Sequence, residues 1–222
     1  IFVTYSPVIK SVTVTASKDA AVNFLLKSGS MLDEVVELGS RTQSRSLMET
    51  AVPVDVYWPK DLTNSSQTDV GQILQYLAPS FHSTHQTISD GTDHIDPATL
   101  RGLGPDQVLV LVNGKRRHTS SLVNVNGTVG RGTVGTDLNA IPIAAIDHIE
   151  ILRDGAAAQY GSDAIAGVIN IVLKEQTGII SGNVTTGITK QGDGLVKQAN
   201  ANYGFEIGNG GFVNVTGDYT ER

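Results

Sequence analysis

The chain has 222 residues, 40% of them hydrophobic and 17% charged. That is enough to bury a core in one domain or two, and too apolar for wholesale disorder. A formal net charge of −6 excludes a nucleic-acid binder, whose affinity would come from Lys and Arg neutralising phosphates. The absence of cysteine excludes disulfide staples and thiolate metal sites, and 24 glycines imply many turns.

No apolar run approaches the ~20 residues of a transmembrane helix. The sequence opens at Ile1 and closes at Arg222 inside strand-like patterns, so it reads as a mature or excised piece. Residues 1–27 are expected to be strands. Val8, Val12 and Val14 share one parity against Ser11, Thr13 and Thr15, and Ala21 to Leu26 is a second apolar run. Two or three strands cannot bury their faces alone, so this stretch reads as the C-terminal remnant of a small β-sandwich. Residues 28–50 form a linker that begins with the flexible Ser28-Gly29-Ser30. It continues as an apolar–acidic extended segment, Met31 to Gly39, and a polar stretch without period, Arg41 to Glu49.

From residue 51 to 177 the pattern is globular. Val52, Val54 and Val56 alternate as a strand that Pro53 assigns to a sheet edge. Val70, Ile73, Leu74 and Leu77 have helical spacing, with Thr68 or Asp69 as N-cap and Pro79 beyond the end. Val108 to Val112 is an unbroken apolar strand followed by Asn113-Gly114, a hairpin signal because both residues tolerate positive φ. The return strand is expected over Lys115 to Ser120, then a glycine-rich loop over Asn124 to Thr136. A short helix over Ala140 to Ile146 precedes a strand from Asp147 to Arg153. In that strand Ile149 and Ile151 oppose His148 and Glu150. A turn or short helix at Ala156 to Tyr160 and a strand over Ala166 to Leu173 complete an α+β domain with a small mixed sheet and short helices.

Residues 178–222 change character. Ile180, Val184 and Ile188, then Ala199, Ala201, Tyr203, Phe205 and Ile207, then Val213, Val215 and Tyr219 each alternate with polar residues. One apolar and one polar face in strands of about ten residues is the pattern of a transmembrane β-barrel, although a soluble amphipathic sheet gives the same alternation. Thr189 to Leu195 is the longer connection and Gly208 to Gly211 the tight one. Open strand edges are aggregation templates, so this segment is expected to be poorly ordered or to pair with another copy.

Two stretches carry a family likeness. TLRGLGPDQVLVLVNGKRR, from Thr99 to Arg117, and DLNAIPIAAIDHIEILRDGAAAQYGSDAIAGVINIVLK, from Asp137 to Lys174, resemble the plug domain of TonB-dependent outer-membrane receptors. Asp154-Gly155 stands where that family often has Gly-Pro. The resemblance implies an α+β plug followed by the first antiparallel strands of a transmembrane β-barrel. Ile1 to Leu26 is similar, more loosely, to the last strands of the carboxypeptidase-regulatory-like domains that precede some of these transporters. The implied function is gating the energy-coupled uptake of a scarce nutrient such as a siderophore, cobalamin or an oligosaccharide, with the plug and N-terminus on the periplasmic side of the outer membrane. The alternatives are a soluble periplasmic ligand-binding module and a signalling receptor.

The family likeness also assigns roles. Leu32, Asp33, Glu34, Val35 and Val36 look like the TonB box, gripped by the TonB C-terminal domain; an extended β-branched segment can add to a sheet edge. Arg101 and Arg153 fall where plug arginines anchor to barrel-wall glutamates, and guanidinium suits such carboxylates because it binds as a fork. Their partners would lie beyond Arg222, so both are expected to be unpaired here. Arg116, Arg117, His118 and Arg131 lie in plug loops expected to face the transported ligand. Gly130 to Gly135 matches G-x-G-x-x-G, but no strand–helix context surrounds it, so no dinucleotide site is expected. His82, His85 and His94 with Asp90, Asp93 and Asp96 match no metal-ligand spacing. No catalytic constellation, cofactor or nucleic-acid partner is implied.

Overall fold

The computed structural model describes residues 35–36, 45–46, 54–65, 67–85, 91, 95–125, 127–153, 159–208 and 210–221. The strands expected in residues 1–27, and Leu32, Asp33 and Glu34, lie outside the described residues. So do His94, Asp90, Asp93 and the Ala156 end of the expected turn.

Two short strands come first, β1 (Val35–Val36) and β2 (Arg45–Ser46), and they pair antiparallel. Strand β3 (Val54–Tyr57) leads into helix α1 (Pro59–Asn64) and helix α2 (Val70–Leu77). A small ladder of β4 (Phe81–Ser83) and β5 (Ala98–Leu100) follows. The centre of the domain is built by β6 (Val108–Val112), β7 (Lys115–Arg116), β8 (Ile146–Leu152) and β9 (Gly167–Leu173). With β3 they form one five-stranded sheet in the order β3-β8-β9-β6-β7. All pairs are antiparallel except β6 with β9.

That parallel pair explains the unbroken apolar runs, because strands covered on both faces need no alternation. Val108, Val110, Ile149, Ile151, Ile169 and Ile171 face Leu62, Ile73, Leu74, Phe81 and Leu100 in the main core. On the opposite face Leu109, Leu111, Leu152 and Val168 pack with Val54 and Ala164. β3 is an outer strand, as Pro53 implied. Asp69 stands at the N-terminus of α2, and Ala78 closes it by donating to the Leu74 carbonyl at 2.8 Å.

Three local expectations are corrected. The return strand after Asn113-Gly114 is two residues rather than six, with one further bond from the Arg117 amide to the Val110 carbonyl, 2.9 Å. The helix expected over Ala140 to Ile146 is a single 3-10 turn, Ile143–Ala145, because Ile146 is already in β8. In β8, His148 and Glu150 are buried together with Ile149 and Ile151, so neither face is solvated. Helix α1 has no counterpart among the sequence expectations.

Beyond Lys174 the chain forms β10 (Ile180–Gly187), β11 (Val196–Ile207) and β12 (Gly211–Glu221), an antiparallel sheet of that order. These strands form regular ladders rather than a poorly ordered segment, and the sheet edges at β10 and β12 stay open. Ile180, Tyr203 and Val215 align across the strands, as do Val184, Ala199 and Tyr219. This face is exposed, whereas Gln198 and Asn202 on the other face are buried. No helix among the described residues is long and apolar enough to cross a membrane.

Candidate functional site

The chain end of β8 and the turns around it bring together the two arginines that the family likeness marks, Arg101 and Arg153. Arg101 follows β5 in the left-handed region, φ 57°, and its amide donates to the Ser80 carbonyl at 2.7 Å. Its Nη1 donates to the main-chain carbonyl of Arg153. Arg153 Nη1 donates to Ser80 Oγ at 3.2 Å, and its Nη2 is ion-paired with Asp55 Oδ2 on β3. Arg153 is thus paired with a carboxylate of this chain, contrary to expectation, whereas Arg101 bonds a main-chain carbonyl. No local pattern signals this, since Asp55 and Arg153 are far apart in the chain and meet only because β3 pairs with β8.

The hairpin and loops divide by role. Arg116 is held within the plug, its guanidinium bonding the Asp163 carboxylate and the Tyr160 carbonyl. The Arg116 hydrogen bond is the main reason the exposed Asp163 carboxyl is held below its usual range. Arg116 is therefore tied down by its own domain, whereas Arg117 is half-buried and His118 is exposed. Arg131 is exposed in the glycine loop, which folds back on Pro105. A Cβ on Gly130, at φ 72°, would meet Pro105 Cδ at 2.4 Å, so the close approach requires glycine. No helix follows, which disposes of a dinucleotide reading. Arg116, Arg117, Pro105, Val134, Thr136 and Asp163 surround a cavity of about 310 Å³.

Behind the hairpin runs a buried polar chain. His148 Nδ1 lies 2.8 Å from Asp147 Oδ2, and its Nε2 lies 3.6 Å from Glu150 Oε1. Trp58 stacks on the His148 ring with centroids 4.7 Å apart. Asn170 Nδ2 donates to Glu150 Oε2 at 2.9 Å, while Asn170 Oδ1 accepts from the Gly114 amide at 3.0 Å. Asn113 Oδ1 accepts from the Leu173 amide at 2.7 Å, so the Asn-Gly turn is pinned to β9 from both its residues. Burial alone would push His148 down, but its hydrogen bonds and charge interactions with Glu150 and Asp147 outweigh this and raise it. Burial also pushes Lys174 down, with the Asp147 charge opposing.

Of the histidines weighed for metal binding, His82 is exposed, and His85 Nδ1 lies 2.8 Å from Asp96 Oδ2, which also approaches Asn139 Nδ2 at 3.4 Å. Among the described residues no three potential ligands converge on a point.

The sheet of β10 to β12 presents its polar face to the plug. Asn214 Nδ2 donates to the carbonyls of Lys174 and Gln176 at 3.0 and 3.2 Å, and the Gly178 amide donates to the Gly204 carbonyl at 2.8 Å. Gln198 Nε2 lies 3.5 Å from the Thr68 carbonyl. A polar cleft of about 420 Å³ remains between them, lined by Asp69, His85, Asp96, Asn139, Gln198 and Asp218. Tyr203 and Phe205, by contrast, point away from the plug and are 40% and 41% exposed. Of the residues expected to form the TonB box, Val35 and Val36 are paired to Ser46 and Arg45.

Comparison with known proteins agrees with this geometry. Residues 46–168 match the family model of the TonB-dependent Receptor Plug Domain. Over 172 residues the chain is 33% identical to the ferric enterobactin receptor PirA of Pseudomonas aeruginosa, covering 76% of this chain and 22% of that protein. Over 133 residues it is 32% identical to the vitamin B12 transporter BtuB of Vibrio vulnificus, covering 60% and 20%. Among solved structures, the siderophore receptor PirA of Acinetobacter baumannii superposes with a TM-score of 0.56 at 27% identity, over 75% of this chain and 24% of that one. The chain thus spans about a quarter of the length of its relatives. With the family model matching more than half of its residues, the chain belongs to the TonB-dependent outer-membrane receptors, of which it carries the plug domain and strands of barrel type.

Proposed function

We propose that the chain is the gate of a transporter that takes up a scarce nutrient across the outer membrane at the expense of energy delivered through TonB. The observation that carries this reading is the two-sided sheet of β10 to β12, polar toward the plug and apolar outward. A plug seated against the lumen side of a wall whose other side suits lipid is a stopper in a barrel. A soluble periplasmic module would instead bury Tyr203 and Phe205 against its core, and both are exposed.

The remaining roles follow from position. Leu32 to Val36 is the TonB box and gains its partner by strand addition, for which the pairing of Val35 and Val36 to β2 must open. Arg117, His118 and Arg131 face the transported ligand, and Arg101 and Arg153 supply the plug side of the anchorage to the barrel wall. Residues 1–27 are the tail of a β-sandwich of the carboxypeptidase-regulatory-like type. The relatives named above are receptors for ferric enterobactin or a siderophore and a transporter of vitamin B12, and a siderophore, cobalamin or an oligosaccharide is the class of ligand proposed here.

A peptide spanning Met31 to Gly39 is expected to bind the TonB C-terminal domain in titration calorimetry, and replacing Val35 by Pro, which removes a main-chain donor, should abolish the binding. An unmodified peptide that stays free at high micromolar concentration would refute the energy-coupling role.

A further inference from the structure

The chain holds the dipeptide Asn-Gly three times, at Asn113-Gly114, Asn126-Gly127 and Asn209-Gly210. Such a pair is chemically fragile, because glycine has no side chain to keep the asparagine carboxamide off the following main-chain nitrogen. That nitrogen can lose its proton and attack the asparagine Cγ. A new C–N bond forms, the Cγ–Nδ2 bond breaks with loss of ammonia, and water opens the cyclic imide to aspartate or isoaspartate. We propose that Asn113-Gly114 is a latent deamidation site kept intact by Asn170, whose side-chain oxygen occupies the Gly114 amide. Nothing in this depends on what the receptor carries.

Burial does not protect the pair, since Asn113 and Gly114 are both exposed. Nor can the turn dispense with it, because φ is 48° at Asn113 and 72° at Gly114, the left-handed region that Asn and Gly tolerate best. Hydrogen bonds to β9 remain. The Gly114 amide donates to Asn170 Oδ1 at 3.0 Å, a bond that must break before the nitrogen can lose its proton. Asn113 Oδ1 accepts from the Leu173 amide at 2.7 Å, so the carboxamide under attack is tied as well. The Asn113 amide donates to the Ile171 carbonyl at 3.0 Å, which fixes the main chain between them.

Asn170 is itself held in one orientation. It is the polar residue of an otherwise apolar strand, Gly167–Leu173, and is fully buried. Such a side chain is costly unless its bonds are made. Its Nδ2 donates to Glu150 Oε2 at 2.9 Å, and Glu150 is equally buried. A main-chain amide can only donate, so the Asn170 oxygen must face Gly114 and its NH2 group must face Glu150. Donation to Glu150 also polarises the carboxamide and makes its oxygen the stronger acceptor. Isoaspartate at 113 would add a main-chain carbon to a two-residue turn and upset the pairing of Leu111 with Arg116 and Val112 with Lys115.

The test ages the full-length receptor in detergent at mildly alkaline pH and follows deamidation by mass spectrometry. Asn113 is read in the tryptic peptide from Gly102 to Lys115, where it is the sole asparagine. Asn126 and Asn209, read by fragmentation from the same digests, report any general loosening. In Asn170→Ala the rate at Asn113 should rise roughly fivefold, the equivalent of about 1 kcal/mol for one hydrogen bond, with Asn126 and Asn209 unchanged. Asn170→Asp keeps an oxygen for the Gly114 amide and can share a proton with Glu150, so Asn113 should age near the wild-type rate. An alanine receptor unchanged at Asn113, acceleration of all three sites together, or an aspartate receptor as fast as the alanine one would overturn the proposal. Amide exchange on the wild type covers an alanine receptor that does not assemble. The exposed Gly114 amide should exchange as slowly as that of Asn113, and exchange at the rate of the unfolded chain would equally overturn it.

Discussion

His148 shows how a single buried side chain sets a pH response. Its value lies above the ordinary 6.5 because contacts with Glu150 and Asp147 exceed the cost of burial. A group raised in the folded state adds stability that is fully present below its unfolded value and disappears as pH climbs through its folded value. The melting temperature of the purified receptor's plug transition should therefore fall as pH is raised from about 6 to about 8. In His148→Gln, which keeps a polar ring-sized group but cannot titrate, that slope should flatten; a slope unchanged by the substitution would assign it to other groups. The histidine was visible in the sequence only as the polar half of an alternation. Its burial depends on Trp58 stacking from outside the sheet, which no local pattern encodes.

At the scale of elements, legibility followed how local the cause was. The apolar run of β6, the Asn113-Gly114 turn and the 3.6 spacing of α2 are local, and each element formed where its residues placed it. Helix α1 escaped because its signal is brief, Pro59 at the first position with the Trp58 amide donating to Asp61 Oδ2 at 3.1 Å. The return strand β7 ended early because Arg116 turns toward Asp163 and Tyr160, a contact 44 residues away in sequence. The start of β9 carries a sharper demand. Gly167 sits at φ 145°, and a Cβ there would meet the Leu152 carbonyl oxygen at 2.5 Å and Leu100 Cδ2 at 2.6 Å. Backbone cannot yield as a flexible side chain does, so Gly167→Ala should cost about 2–3 kcal/mol. Denaturant unfolding of the receptor would check this, and a loss under about 0.5 kcal/mol would mean the strand start can shift.

For the whole molecule, the alternation in residues 178–222 could be read as strands, but not as a barrel wall rather than a soluble sheet. That distinction came from which face meets the plug. Gln198 and Asn202 are buried, whereas Val184, Val215 and Tyr219 are 80%, 55% and 64% exposed. The two faces should respond oppositely to charge. Val184→Arg near the middle of an outward strand should destabilise the assembled barrel by about 2–4 kcal/mol, while Asn183→Arg, one residue along and facing inward, should be nearly neutral. Heat-modifiable gel migration of each variant reads this out, and equal tolerance of both would argue against a lipid-facing side. The arginine pairing lay beyond sequence reasoning for a different reason. The family pattern names barrel carboxylates as partners, and only the β3–β8 register brings Asp55 beside Arg153.

The passage from plug to wall is short. Leu173 ends β9 and Ile180 begins β10, and between them the chain is strapped across β11 and β12. Asn214 holds the Lys174 and Gln176 carbonyls, and Gly204 lies so close beneath that a Cβ there would stand 2.2 Å from the Gln176 oxygen. In the gating proposed above, traction from the N-terminal side works against this moored end. A stopper drawn aside on so brief a leash stays at high effective concentration beside its seat, since the loop that must close to restore it spans only a few residues. In the proposed gating, resealing becomes a return over a short arc rather than a search.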